Sequence, residues 1–114
     1  MSRVKSGKHY LASSGTNTIQ QIIAPADNVH GAILRTICLG SANTSLAQVS
    51  IYADVNPPSV PGDPNCRMIV MVSQPQFITV IVPYEIEVPA GLGVWVGYVQ
   101  GKGQLNITYD LVDI

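Results

Sequence analysis

Val, Ile and Thr recur in short runs along this chain, and Gly or Pro breaks each run after a few residues. That pattern predicts many short strands, because β-branched side chains suit a pleated, half-buried surface and Gly and Pro punctuate it. No window repeats apolar residues at helical spacing behind a capping residue, so no long helix is expected. The expected strands run from Thr18 to Ala24, His30 to Leu39, Leu46 to Asp54, Cys66 to Ser73, Phe77 to Val88, Gly93 to Val99 and Gln104 to Val112. Phe77 to Val88 alternates most clearly. Ile78, Val80, Val82, Tyr84, Ile86 and Val88 are expected on the core face, with Glu85 and Glu87 outside. Pro83 cannot donate to a ladder, so the middle of this run must be an edge, a bulge or a break between two strands. Gln100-Gly101-Lys102-Gly103 reads as the turn of a closing hairpin. Seven to eight strands of this kind predict an all-β fold: an antiparallel two-sheet sandwich of jelly-roll or Greek-key type, with a closed β-barrel as the alternative.

Residues 1–17 are polar and rich in Ser and Gly, and are expected to form a flexible arm ahead of one domain over 18–114. Val55 to Asn65 holds Pro57, Pro58, Pro61 and Pro64. Four prolines exclude this stretch from any ladder and make it stiff, which suits a loop that projects from one end of the sandwich and docks on a neighbouring subunit or a host assembly. The alternative is a stiff connection between two sheets.

Composition sharpens the expectation of partners. Hydrophobic residues make up 46% of the 114 and charged residues only 11%, against about 25% charged in an ordinary soluble domain. Two strands also look apolar on both faces. In His30 to Leu39, Ala32, Leu34 and Cys38 oppose Ile33, Ile37 and Leu39. In Cys66 to Ser73, Met68, Val70 and Val72 oppose Ile69 and Met71. A strand of a two-layer sandwich has one outward face, so the second apolar face must meet another subunit or a covering loop. A homo-oligomer is therefore expected, with Ile33 and Ile37 as contact candidates beside the four prolines. A formal net charge of −1 and the absence of any basic cluster argue against nucleic acid. No apolar run approaches the roughly 20 residues of a membrane helix. The polar N-terminus carries no apolar signal-peptide centre, which places the chain in the cytoplasm, with Cys38 and Cys66 as reduced, core-facing thiols.

Catalytic chemistry finds little to work with. His9 and His30 are the two imidazoles, and no His-x-His pair supports a cupin-type metal site. Neither cysteine has metal-site spacing, and no Gly-x-Ser-x-Gly elbow occurs. Glu85 and Glu87 point the same way from one strand, whereas glycosidase carboxylates flank a cleft. Asp54, Asp63 and Asp110 match no calcium loop. No enzyme activity, metal or cofactor is expected.

The stretch Val82-Pro-Tyr-Glu-Ile-Glu-Val-Pro-Ala-Gly-Leu-Gly-Val-Trp-Val-Gly-Tyr ends one strand, turns at Val-Pro-Ala-Gly and opens another on an aromatic residue. It resembles small β-sandwich accessory proteins of tailed bacteriophages, such as head decoration proteins and tail modules. Gly31-Ala-Ile-Leu-Arg-Thr-Ile and Val49-Ser-Ile-Tyr-Ala-Asp are similar to the early strands of such modules. The resemblance implies a structural virion protein, assembled in the host cytoplasm, trimeric, and docked on capsid or tail proteins. It implies no catalytic residue. Trp95 and Tyr98 are then interface candidates. The rival reading is a lectin-like sandwich binding cell-surface carbohydrate, with Trp95, Tyr52, Tyr84 and Tyr98 as stacking rings.

Overall fold

The computed structural model describes residues 6–41, 47–74 and 79–112. Arg3 and Lys5 of the expected arm, the Ala42 and Asn43 part of the expected loop, and Phe77 and Ile78 lie outside the described residues. Nine strands are described: β1 His9–Gly15, β2 Thr18–Ile23, β3 Ala32–Ser41, β4 Ala47–Asp54, β5 Met68–Gln74, β6 Thr79–Val82, β7 Ile86–Val88, β8 Gly93–Gln100 and β9 Gly103–Leu111. A single 3-10 turn, Pro25–Asp27, follows β2. Sheet I runs β1-β9-β3-β6, with β7 also on β3, and sheet II runs β2-β8-β4-β5. All pairings are antiparallel, and neither sheet closes into a barrel. The two sheets enclose one core, with Leu34, Ile37, Leu39, Leu105 and Ile107 from sheet I against Val49, Ile51, Val94, Val96 and Tyr98 from sheet II.

Nine strands exceed the seven or eight expected, for two reasons. The stretch read as a flexible arm contains β1, which pairs with β9 from His9↔Tyr109 to Gly15↔Gly103. Gly7 and Lys8 ahead of it are already tied, their N–H groups donating to Thr108 Oγ1 at 2.9 Å and Asp110 Oδ1 at 2.7 Å. This strand is held chiefly by its ladder bonds, with Leu11 packed against the core, and its Ser- and Gly-rich composition hides it. Pro83 then splits the run before the Pro-Ala-Gly turn into β6 and β7, which lie end to end on β3.

The two-faced appearance of β3 has a local cause. Its register against β9 shifts between Leu34 and Thr36, leaving Arg35 as the extra residue of a β-bulge. The bulge reverses the alternation, so Ala32 and Leu34 before it and Ile37 and Leu39 after it all point into the core. Ile37 is thus a core residue, not a contact on an outer face. A bulge at Ile69 has the same effect in β5: Val70 is buried while Met68 and Met71 are exposed.

The Gly101-Lys102 connection is not a hairpin. β8 pairs with β2 and β4, and β9 with β1 and β3, so the turn carries the chain from one sheet to the other. Gly101 takes φ 65° there, and a short glycine turn serves a crossover between layers as well as a hairpin. What decides is Tyr98, whose ring enters the core at the end of β8 and lies over the Gly15↔Gly103 pair of sheet I.

Candidate interaction surfaces

The outer face of sheet II is covered by the chain itself around Tyr52 and Trp95, while Met68 and Met71 of β5 stay exposed on it. Tyr52 and Trp95 form a cross-strand pair there, 0% and 4% exposed. The proline-rich segment folds back over Tyr52: the Gly62 N–H donates to the Tyr52 hydroxyl at 2.8 Å. The Pro61 backbone lies close above Gly97, and Gly62 lies against Val99. Val60-Pro61-Gly62-Asp63 is a type II turn, with Asp63 N–H donating to Val60 O at 3.1 Å and Gly62 at φ 80°. Trp95 lies over Gly93 and against Pro25, where a Cβ on Gly93 would stand 2.5 Å from the indole. Of the four prolines, Pro58 is buried, Pro61 half-buried, and Pro57 and Pro64 exposed. The loop does not project from the end of the sandwich as expected. It is the cover that a sheet apolar on both sides requires.

Two carboxylates hold this cover down. Asp54 accepts from Val55 N–H at 2.7 Å and Arg67 N–H at 3.0 Å, joining the two ends of the loop. Asp63 accepts from Ser59 N–H at 3.0 Å, Ser59 Oγ at 2.9 Å and Asn65 N–H at 2.9 Å. These bonds favour the charged forms. Asp54 sits below the usual carboxylate range chiefly through Arg67 N–H, and Asp63 chiefly through Ser59 N–H. Cys66 stands beside both, its thiol pushed up first by burial and then by the two negative charges. A folded pKa below the unfolded one stabilises above the unfolded value, near 4, and that contribution is lost as pH falls through the folded value. The loop is therefore expected to stay clasped down to about pH 4 and to loosen below it. Amide exchange at Ser59 and Arg67, compared between parent and Asp63→Asn at pH 5 and pH 3, checks this. Equal protection of the parent's loop amides at both values would contradict it.

Among the described residues no segment covers the outer face of sheet I. Tyr10, Ala12, Gln104, Asn106, Thr36 and Cys38 lie on it, and its charges gather at one end. There the bulged Arg35 donates to Asp110 Oδ2 at 2.8 Å and to Glu85 in the β6–β7 break. Both partners raise the Arg35 pKa, Glu85 most. One guanidinium thus joins β9, β3 and the Pro83–Glu85 break, so the bulge and the break are matched features. Ile33 is half-buried on this face, opposite both Asp110 and Glu87. Of the other candidates, Ile37 and Tyr98 are enclosed between the sheets and Trp95 lies under its own chain, which removes all three from the accessible surface. Cys66 lies in the loop and Cys38 on the outer face, both half-buried and free, not in the core as expected.

Sequence reasoning missed Asn28. Its side chain is 1% exposed, and its Nδ2 donates to Pro89 O at 2.8 Å and Leu92 O at 2.9 Å, while Gly91 N–H donates to Asn28 O at 2.8 Å. It fixes the Val-Pro-Ala-Gly turn between β7 and β8. The short polar residue after Pro25-Ala-Asp was legible only as a turn former.

The depressions beside the charged end are open and shallow; one of 560 Å³ is lined by His30, Ile33, Glu87, Pro89 and Val112 among others. His9 stacks on Tyr109 with ring centroids 5.1 Å apart. Among the described residues no group of three or more His, Cys, Asp or Glu could hold a metal ion, and no helix is long and apolar enough to cross a membrane. Compared with protein-family models, curated proteins and solved structures, the chain matches none.

Proposed function

We propose that this protein is a structural module that self-associates and docks on a larger assembly, with a trimeric virion accessory protein of a tailed phage as its setting. The strand order β1-β9-β3-β6 against β2-β8-β4-β5 corresponds to the double Greek key of a jelly roll once β6 and β7 are counted as one interrupted strand, an architecture used in capsid and lectin domains. The observation that carries the reading is the contrast between the two outer faces. Sheet II spends a whole loop on hiding Tyr52 and leaves Met68 and Met71 of its edge strand exposed, whereas sheet I has no covering loop among the described residues and leaves Tyr10 66% and Ile81 69% exposed on a face with little charge beyond one end. A face of that kind is suited to a partner surface. The carbohydrate reading is the weaker one, since three of its four stacking candidates, Trp95, Tyr52 and Tyr98, are enclosed by the chain and Tyr84 alone is exposed. The reading assigns no catalytic role to any residue.

Light scattering at micromolar concentration is expected to report a multimer of the 12.2 kDa chain, with three copies. A monomer throughout that range would overturn self-association.

A further inference from the structure

The register of sheet I joins its two outermost described strands, β1 on one side and β6 with β7 on the other, through common rows. Four outer-face rows cross the sheet from β1 to β6 and β7. Lys8 is bonded through its N–H to Asp110, which stands opposite Ile33, which stands opposite Glu87. Tyr10, Thr108 and Thr36 form the next row, which ends at the Pro83–Glu85 break carrying Tyr84. Then come Ala12, Asn106, Cys38 and Ile81, and last Ser14, Gln104, Gly40 and Thr79. Three of these rows begin and end on residues that suit one another, a cation and an anion, two apolar side chains and two hydroxyls, and the row of Tyr10 ends at the break that also holds the exposed Tyr84. Of the inner rows, one ends on Leu11 and Val82, both only half-buried in the single chain, while the others end on unlike residues, Ser13 with Val80 and His9 with Ile86.

We propose that copies of this chain join edge to edge, β6 and β7 of one against β1 of the next, so that sheet I continues from subunit to subunit. This rests on the self-association read above and names the surface that performs it. Strand direction allows it. β1 is antiparallel to β9, β9 to β3, and β3 to β6 and β7, so β6 and β7 run antiparallel to β1, and a copy set alongside in the same orientation keeps the alternation. The edge opposite β1 is interrupted at Pro83 and carries Glu85 and Glu87, but β6 itself, Thr79–Val82, has no charge and no proline, and β1, His9–Gly15, has neither acid nor Lys. Exposed edges of this kind pair with other chains through their free N–H and C=O groups. The charges flanking the two edges are opposite in sign and share one row, so they select unlike edges and set the register. Pro83 stands in the break, where no ladder bond is asked of it, and in the assembly this break lies across from Tyr10 of the next copy. The contact is heterologous, and such contacts close into rings when the rotation between copies allows.

The test is the association of the full chain, measured by light scattering and sedimentation. Ile81→Lys places a charge on a side chain already 69% exposed, so the thermal midpoint should hold while association weakens by about tenfold or more. Lys8→Glu and Glu87→Lys should each weaken association about fivefold, because like charges directly opposite repel, and the double reversal should restore it. A parent that assembles while Ile81→Lys and the reversals assemble equally well would overturn the edge pairing and leave self-association standing. Weakening by Ile81→Lys without rescue by the double reversal would overturn the head-to-tail register. A parent that stays monomeric would overturn this inference together with the function it rests on.

Discussion

Tyr98→Ala should destabilise the domain by about 4 kcal/mol, in the range of a fully buried aromatic cut back to Ala. Tyr98 is 0% exposed, and its ring lies between the sheets on a floor made by two glycines. Gly15 of β1 and Gly103 of β9 are register partners, and a Cβ on either would stand 2.7 or 2.8 Å from the ring. Truncation leaves a cavity whose floor is backbone and cannot collapse onto it, which is the condition for a large cost. The reverse experiment uses the same slot. In Gly103→Ala the new methyl would also stand 2.5 Å from Val49 Cγ2, so overpacking should cost about 2 kcal/mol. Chemical denaturation of both variants reads these values through the midpoint at constant slope. A cost below about 1 kcal/mol for Tyr98→Ala would mean that the ring is not the wedge between the sheets. Burial also raises the phenol's pKa, since the charged form has no water there.

That slot shows why some of the fold was readable in the chain and some was not. All the described strands except β1 lie on the runs that β-branched residues and their Gly and Pro punctuation mark out, because those signals are local. The break at Pro83 was equally local, since proline lacks the donor a ladder needs. β1 was hidden because Ser13, Ser14 and Gly15 have low strand preference of their own. Gly15 is there for Tyr98, more than eighty positions away, and no window around residue 15 contains that requirement. The Arg35 bulge was hidden for a different reason. Strict period-two reading across it places Ile37 on the wrong face, and only the pairing of Arg35 with both Asp110 and Glu85 marks the residue as the extra one. An Arg inside an apolar run was the available signal. The inference drawn from the false second face, that β3 needs a partner there, loses its support, and the case for self-association now rests on the sheet I edges and outer face.

Replacing residues 55–65 by a short Gly-Ser linker should cost about 3 kcal/mol of stability, because the segment roofs the outer face of sheet II. Two contributions make up that figure. Tyr52 loses its cover, worth about 2 kcal/mol for a large side chain returned to water, and its hydroxyl loses the Gly62 N–H, worth about 1 kcal/mol. Loop length itself matters little, since closure entropy changes slowly with the number of residues. The stiffness of Pro57, Pro58, Pro61 and Pro64 therefore serves an intramolecular contact: it lowers the entropy lost when the segment lies down on its own sheet. Trp95, the single tryptophan, is the cross-strand neighbour of Tyr52 and reports on the roof. Its emission should shift to the red and become open to acrylamide in the linker variant, while the far-ultraviolet β signature persists at low temperature. The proposed edge contact between subunits lies on the other sheet, so at temperatures where the variant stays folded its association should match the parent's. Unchanged stability with a strong loss of association would reverse the assignment, making the segment a docking arm in place of a roof.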